Sequence, residues 1–228
     1  MTLALPLPLV LATQNADKAR EIVEIFVALA DIPLIAYSID GIAFLVDVPD
    51  RIAASVAALP TVAAAPDVEE TGSTLEENAR IKARALAGAF GLRAVADDTG
   101  LEVDALNGAP GVHSARYAGE QASYADNVVK LLRELEGVYP SLRTARFTTV
   151  AIARGPDARE VVARGDVEGL VTALPRGEGG FGYDPVFVPL EGDGRTFAEM
   201  TPEEKHAVSH RGRAFRALAS AMDRREER

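Results

Sequence analysis

An apolar run from Leu3 to Ala12 stops at Thr13, Gln14 and Asn15, and apolar residues then return as Ile22, Ile25, Phe26 and Leu29. The first pattern is that of a strand and the second that of one buried helix face, so the chain opens strand, tight turn, helix. This opening constrains the fold most, because such units build α/β proteins, which commonly bind ligands at strand ends. The run carries two prolines, lacks a basic flank and is far too short to span a bilayer, so it is read as a strand in a cytoplasmic protein.

The same alternation continues. Thr74 and Glu77 form a capping-box pair opening a helix through about Ala89, with Ile81, Leu86 and Phe90 on its apolar side and Gly91 as the stop. A strand over Arg93 to Ala96 runs into Asp97, Asp98, Thr99 and Gly100. Ser123 caps a helix carrying Val128, Leu131, Leu132 and Leu135, with Gly137 suited to its C′ position. Ala145 to Ala153 reads as a strand, and Glu160 to Ala163 as its antiparallel neighbour after the turn Gly155-Pro156-Asp157. Thr201, Pro202 and Glu204 open a last helix anchored by Val208, Phe215, Leu218 and Met222. The stretch 36–66, rich in Ala, Val and Pro, reads as an insertion, about 41–67, carrying a short helix or a hairpin. The sum is a mixed α/β fold.

Composition bounds the function. A chain of 228 residues, 48% apolar, buries an ordinary core as one domain over 1–228, with room for two lobes. Without cysteine there is no disulfide, thiolate zinc site or cysteine nucleophile, and three histidines leave little for a histidine-rich metal site. A net charge of −10 with no continuous basic run excludes duplex nucleic acid as a partner. A small anionic substrate then needs a local group of cations or a metal.

Four groups of residues carry possible chemistry. Lys18 falls in the first turn of the first helix, where the macrodipole disfavours a cation unless an anion is present, and Thr13 and Asn15 lie beside free backbone N–H groups that suit phosphate. Read alone, this is a solvated lysine behind an Asn cap. Asp97-Asp98, expected to project from a strand end, and Glu69-Glu70 offer hard oxygen ligands suited to magnesium, or are simply acidic turns. Gly177 to Pro185, with four glycines around Phe181 and Tyr183, is either a ligand-stacking loop with Asp184 at a ring edge or a turn plugging the core. Lys205, His210 and Arg211, expected on one helix, donate to carbonyls or phosphates, or form a basic helix end. His206 is read as surface and His113 as structural.

Taken in order, the strings Leu11-Ala-Thr-Gln-Asn15 with Lys18 and Glu21, Glu70-Thr-Gly72 with Thr74, Glu77, Asn78 and Lys82, and Ala96-Asp-Asp-Thr-Gly-Leu101 resemble the inosine triphosphate pyrophosphatase family, also called the Ham1 or non-canonical purine NTP pyrophosphatase family. The resemblance continues through Gly108-Ala-Pro-Gly111, Ser114-Ala-Arg-Tyr117, Gly179-Gly-Phe-Gly-Tyr-Asp-Pro185 and Glu204-Lys205 with Ser209-His-Arg211. It covers nearly the whole chain.

The resemblance implies an elongated α/β fold, a mixed sheet flanked by helices with a cleft between two lobes, assembled as a homodimer and using Mg2+. It implies cleavage of inosine, deoxyinosine and xanthosine triphosphates (ITP, dITP, XTP) between the α and β phosphates, releasing pyrophosphate. Carried over, the turn Thr13, Gln14, Asn15, Ala16, Asp17, Lys18 holds the triphosphate and Lys82 faces it. Glu70 and Asp98 bind metal, with Glu69 as the substitute, and Asp98 accepts the proton of the attacking water. Thr99 contacts substrate, and Phe181, Gly182, Tyr183 and Asp184 with Lys205, His210 and Arg211 form the base pocket. Gln14 stands where the family often has glycine, Thr99 where serine is usual, and the stretch from about Gly41 to Asp67 is longer than expected. A Maf-type pyrophosphatase and a non-catalytic nucleotide sensor are the rival readings.

Overall fold

The structure is a computed structural model that describes residues 9–13, 15–29, 34–37, 43–45 and 66–226. The start of the expected first strand, Gln14 and most of the insertion lie outside the described residues. Strand β1 (Leu9–Ala12) is followed by α1 (Ala16–Leu29) and then β2 (Leu34–Tyr37), which lies parallel to β1. This is the order of strand and helix expected, closed into a βαβ unit. On α1, Ile22, Ile25 and Phe26 are buried, each contributing roughly 1.5–3 kcal/mol by burial, and Phe26 meets Phe215 edge to face at 6.0 Å.

A short strand β3 (Ala43–Leu45) pairs antiparallel with β2. Helix α2 (Leu75–Phe90) begins at Thr74 with the expected capping box and ends at Gly91 in the left-handed conformation. Its buried stripe is mostly small: Ala79, Ala83 and Ala87 with Leu86 and Phe90, whereas Ile81 is only half-buried. Alanines let the helix sit close on Val10, Ala94 and Ala96, which share its core cluster with Val150 and Ile152.

Strand β4 (Ala94–Val103) is parallel to β1 and carries the two-residue β5 (Pro110–Gly111) antiparallel on its far part. Then follow α3 (Tyr124–Glu134), β6 (Thr144–Arg154), β7 (Glu160–Val171) and β8 (Phe187–Pro189), the last antiparallel to β7. Strands β6 and β7 are sheet neighbours joined by only 155–159, a link too short for a parallel crossover, so they form the expected hairpin. Among the described residues the strands form one sheet in the order β3-β2-β1-β4-β6-β7-β8, with β5 on β4. Two helices close the chain, α4 (Pro202–Val208) and α5 (His210–Glu226).

Contacts divide the chain into two compact units. The first takes residues 1–98, 150–163 and 215–228, and the second 99–149 and 164–214. The second has its own core of Leu101, Val103, Val128, Leu131, Phe147, Phe187 and Phe197. There α3 is capped by Ser123 with Asp126. Its C-cap is Leu135, so Gly137, with φ of 80°, falls one position beyond the expected C′. The buried guanidinium of Arg143 supplies the other end, donating to Leu135 O at 2.9 Å, Val138 O at 3.1 Å and Thr172 O at 3.2 Å. A cation at that end is favoured by the helix field.

Candidate active site

In the first unit the chemistry gathers where β1 ends. Asn15 caps α1 through its Oδ1, which accepts from Lys18 N–H at 3.0 Å, and Thr13 Oγ1 accepts from Asn15 N–H at 3.1 Å. Ala16 is exposed and Asp17 half-buried. The Lys18 side chain reaches Asp97 Oδ2 at 3.3 Å, with only 2% of the Asp97 side chain exposed. The anion that a first-turn lysine requires is thus supplied by the protein itself.

The acidic pair does not sit at a strand end as expected. Strand β4 runs straight through Asp97 and Asp98 to Val103, because Leu101 and Val103 continue its buried pattern and each carboxylate finds a lysine partner. The strand that ends here is β1: it pairs Leu11 with Val95, and Asp97 lies two positions farther along β4.

Asp98 and Glu70 converge on one ammonium. Lys82 Nζ donates to Glu70 Oε1 at 2.9 Å and to Asp98 Oδ1 at 3.2 Å, while Asn78 Nδ2 donates to Asp98 Oδ2 at 3.3 Å. Burial works against the charged lysine, but Asp98, Glu70 and Asp97, in that order, outweigh it and hold Lys82 above the ordinary lysine range. Glu69 is exposed and makes no such approach, which favours Glu70 as the ligand of the two. The start of α2 fixes the adjoining segment: Glu77 Oε2 accepts from the Ser73 and Thr74 N–H groups at 2.7 and 3.2 Å, and Asn78 Oδ1 accepts from Gly72 N–H at 2.7 Å.

Among the described residues no group of three or more acidic or histidine side chains is arranged to hold a metal unaided. Two carboxylates that already share one cation still fit magnesium, which takes one or two protein carboxylates and fills its shell with water and phosphate oxygens.

In the second unit a different group forms. Gly180 and Gly182 take positive φ, 68° and 64°, and curl the loop so that Phe181 N–H donates to Asp184 Oδ2 at 2.8 Å. A Cβ on Gly180 would stand 2.1 Å from that same oxygen, so only glycine fits there. Lys205 Nζ donates to Asp184 Oδ2 at 2.6 Å, both side chains being at most 5% exposed. The ammonium lies 4.9 Å from the Phe181 ring centroid, and the Arg211 guanidinium carbon 5.5 Å from it. Arg211 also donates to Thr99 Oγ1 at 3.2 Å, and Thr99 shares a 2.7 Å hydrogen bond with Thr149. His210 is buried and stacked on Phe147 at 4.4 Å.

Two expectations change here. Tyr183 is buried, its hydroxyl donating to Ser114 O at 2.8 Å, so of the loop's two rings Phe181 is the one left at the surface. Lys205, His210 and Arg211 do not share one helix. The chain breaks at Ser209, the C-cap of α4, whose Oγ accepts from Gly212 N–H at 3.0 Å and so caps the start of α5. This leaves His210 and Arg211 in the first turn of α5, and Lys205 on α4. Asn78, Thr149, Phe147 and Tyr124, whose ring lies 5.7 Å from that of Phe181, escaped the sequence reading as site residues. Only Asn78 carried a signal, standing four residues before Lys82.

The Ham1 family model matches residues 9–221. The chain belongs to the Ham1 family. A dITP/XTP pyrophosphatase of Geobacillus kaustophilus is 45% identical over 210 residues, 92% of this chain and 91% of that protein. Among solved structures, a HAM1 protein from Coxiella burnetii matches with a TM-score of 0.75 at 39% identity, covering 96% of this chain and 99% of its own. The Staphylococcus aureus Ham1 protein matches at 0.72 and 37%, covering 95% and 98%. This Ham1 family member keeps Glu70, Lys82, Asp98, Asp184, Lys205 and Arg211 in the two groups described.

Proposed function

We propose that this Ham1 family member hydrolyses non-canonical purine nucleoside triphosphates, dITP, ITP and XTP, to the monophosphate and pyrophosphate. The observation that carries this reading is the convergence of Glu70 and Asp98 on one cation, within a chain that is 45% identical to a dITP/XTP pyrophosphatase. Asp98 accepts the proton of the attacking water and aligns it with the α-phosphorus, and Lys82 and Lys18 offset the charge of the triphosphate. The turn Thr13–Lys18, Gln14 included, binds phosphate oxygens.

Glu70 and Asp98 would hold Mg2+. When bound, the ion would polarise phosphate oxygens and neutralise developing charge.

The base belongs with the second group. Its ring stacks on Phe181, and Lys205 donates to the six-position oxygen of hypoxanthine or xanthine, with Asp184 keeping the ammonium charged and aimed. Adenine offers an amino donor at that position and leaves Lys205 without an acceptor, which is the basis of discrimination. Thr99, His210 and Arg211 complete this pocket, with the Gly182 and Tyr183 backbone lining it. A cytoplasmic homodimer is part of the same reading, to be checked by light scattering; no helix among the described residues is long and apolar enough to cross a membrane.

The deciding experiment measures pyrophosphate release from dITP, XTP, dATP and dGTP with Mg2+, with and without chelator. Chelator-sensitive release from dITP and XTP is expected. Tight dITP binding with no pyrophosphate would favour a sensor, and preference for modified pyrimidines a Maf-type enzyme.

A further inference from the structure

Two side chains of α2 hold both oxygens of Asp98. Lys82 takes Oδ1 and Asn78 takes Oδ2, and residues four apart on a helix stand on one face. Asn78 is 1% exposed, and its amide orientation is dictated. The Gly72 N–H can only donate, so the amide oxygen faces Gly72, and the NH2 group must then face Asp98. Gly72 is fitted to this contact: a Cβ there would stand 2.6 Å from Asn78 Oδ1 and 2.9 Å from Asn78 N. Glu70 lies two residues before Gly72.

We propose that Asn78 is a positioning residue for the reaction, fixing the Asp98 carboxylate and tying to it the backbone that carries Glu70. The inference rests on the roles of Asp98 and Glu70 proposed above. A buried Asn that served only the fold would contribute stability through Gly72 and leave turnover alone. A positioning Asn acts on the chemical step, because a misdirected carboxylate slows attack without weakening the grip on base or phosphates.

Two variants separate these roles. Asn78→Asp keeps the size and the oxygen facing Gly72, but sets an oxygen where the donor faced Asp98. Gly72→Ala presses on the same contact from its other end, together with Glu77 Cβ at 2.7 Å and Asn78 N at 2.9 Å, and Gly72 has no positive φ to strain an alanine. Circular dichroism checks that each is folded, and the Ala variant, which adds one methyl, decides if the Asp variant is not. For dITP, kcat is expected to fall about ten- to a hundredfold with KM within about twofold. Mn2+ affinity of nucleotide-free Gly72→Ala, read by electron paramagnetic resonance, is expected to fall about tenfold. A folded variant with kcat within about twofold of the parent, or a loss confined to KM, overturns the inference. Asp98→Asn run alongside distinguishes the failures: an inactive Asp98→Asn beside a fully active Asn78→Asp sinks only the role of Asn78, whereas full turnover by Asp98→Asn sinks both.

Discussion

Around Lys82 two carboxylates, Glu70 and Asp98, share one ammonium, and Asp97 on the same strand holds Lys18; around Lys205 the carboxylate of Asp184 faces the ammonium. The first group sets three carboxylates against two lysines and stays partly open, with 16% of the Lys82 side chain exposed against 5% for Lys205. The second is built on the buried Asp184–Lys205 pair, closed and packed against Phe181 and Phe197, with the Arg211 guanidinium over the same Phe181 ring. A surplus of negative charge beside an ammonium suits a site that takes up a further cation together with a polyanion. A matched, dry pair suits a site that must hold one donor in one direction. The contrast therefore assigns charge chemistry to the first group and recognition to the second.

The sharpest way to break that assignment is Asp98→Asn. The substitution keeps volume and leaves Lys82 its bond to Glu70, so the protein is expected to fold. It removes the proposed proton acceptor and half of the metal-binding charge, and turnover should fall by about 10²–10⁴. Pyrophosphate release from dITP checks this, and turnover near that of the parent would remove Asp98 from the mechanism.

Lys205→Met tests the other half, and its effect should fall on two measurements at once. Asp184 would stay buried with its ion pair to Lys205 broken, at a cost of about 3–5 kcal/mol in stability. The preference for dITP over dATP should shrink by about tenfold or more. Adding Asp184→Asn removes the stranded charge, so the double variant should regain much of the stability but none of the selectivity. Selectivity that returned together with stability would mean that Lys205 acts through packing rather than by reading the base.

The two groups were not equally legible in the sequence. Local signals announced the elements: the Thr74–Glu77 and Thr201–Glu204 capping boxes, Gly91 as a helix stop, and the Gly155-Pro156-Asp157 turn between two strands all appear as expected. What failed was whatever depended on partners distant in the chain. Asp97 and Asp98 read as the end of a strand because paired acids seldom continue one, and Lys18 and Lys82, arriving from two helices, let them stay inside it. The break at Ser209 was hidden because 202–222 reads as one continuous apolar pattern, whereas the serine hydroxyl serves as a cap for the next helix. Tyr183 and Phe181 are adjacent aromatics to a reader of the sequence, and only the Ser114 carbonyl, 69 positions away, sorts core from surface. Function came from resemblance, since each group taken alone was as compatible with an ordinary solvated turn or helix end.

The smallest expected effect asks whether an ion pair outside both groups behaves as scaffold. Glu160 on β7 lies between Arg80, whose Nε donates to it at 3.0 Å, and Arg154, also hydrogen-bonded to it. Burial pushes the Glu160 carboxyl up, but the two guanidiniums outweigh it and hold it below its ordinary value of 4.5. A carboxylate whose pKa is lowered by folding stabilises the protein fully above the unfolded value, and that contribution is lost as pH falls through the folded one. Stability should therefore decline below about pH 4.5 in part through this residue. Glu160→Gln should lower Tm at pH 7 by about 2–4 °C, the shift that roughly 1 kcal/mol produces in a chain of this size, and should flatten the acid limb of Tm against pH. Because Glu160 belongs to neither group, kcat and the dITP preference should stay as they are. An unchanged acid limb would show that these guanidiniums contribute nothing to folding, and altered turnover would mean that the charge surplus around Asp98 extends as far as β7.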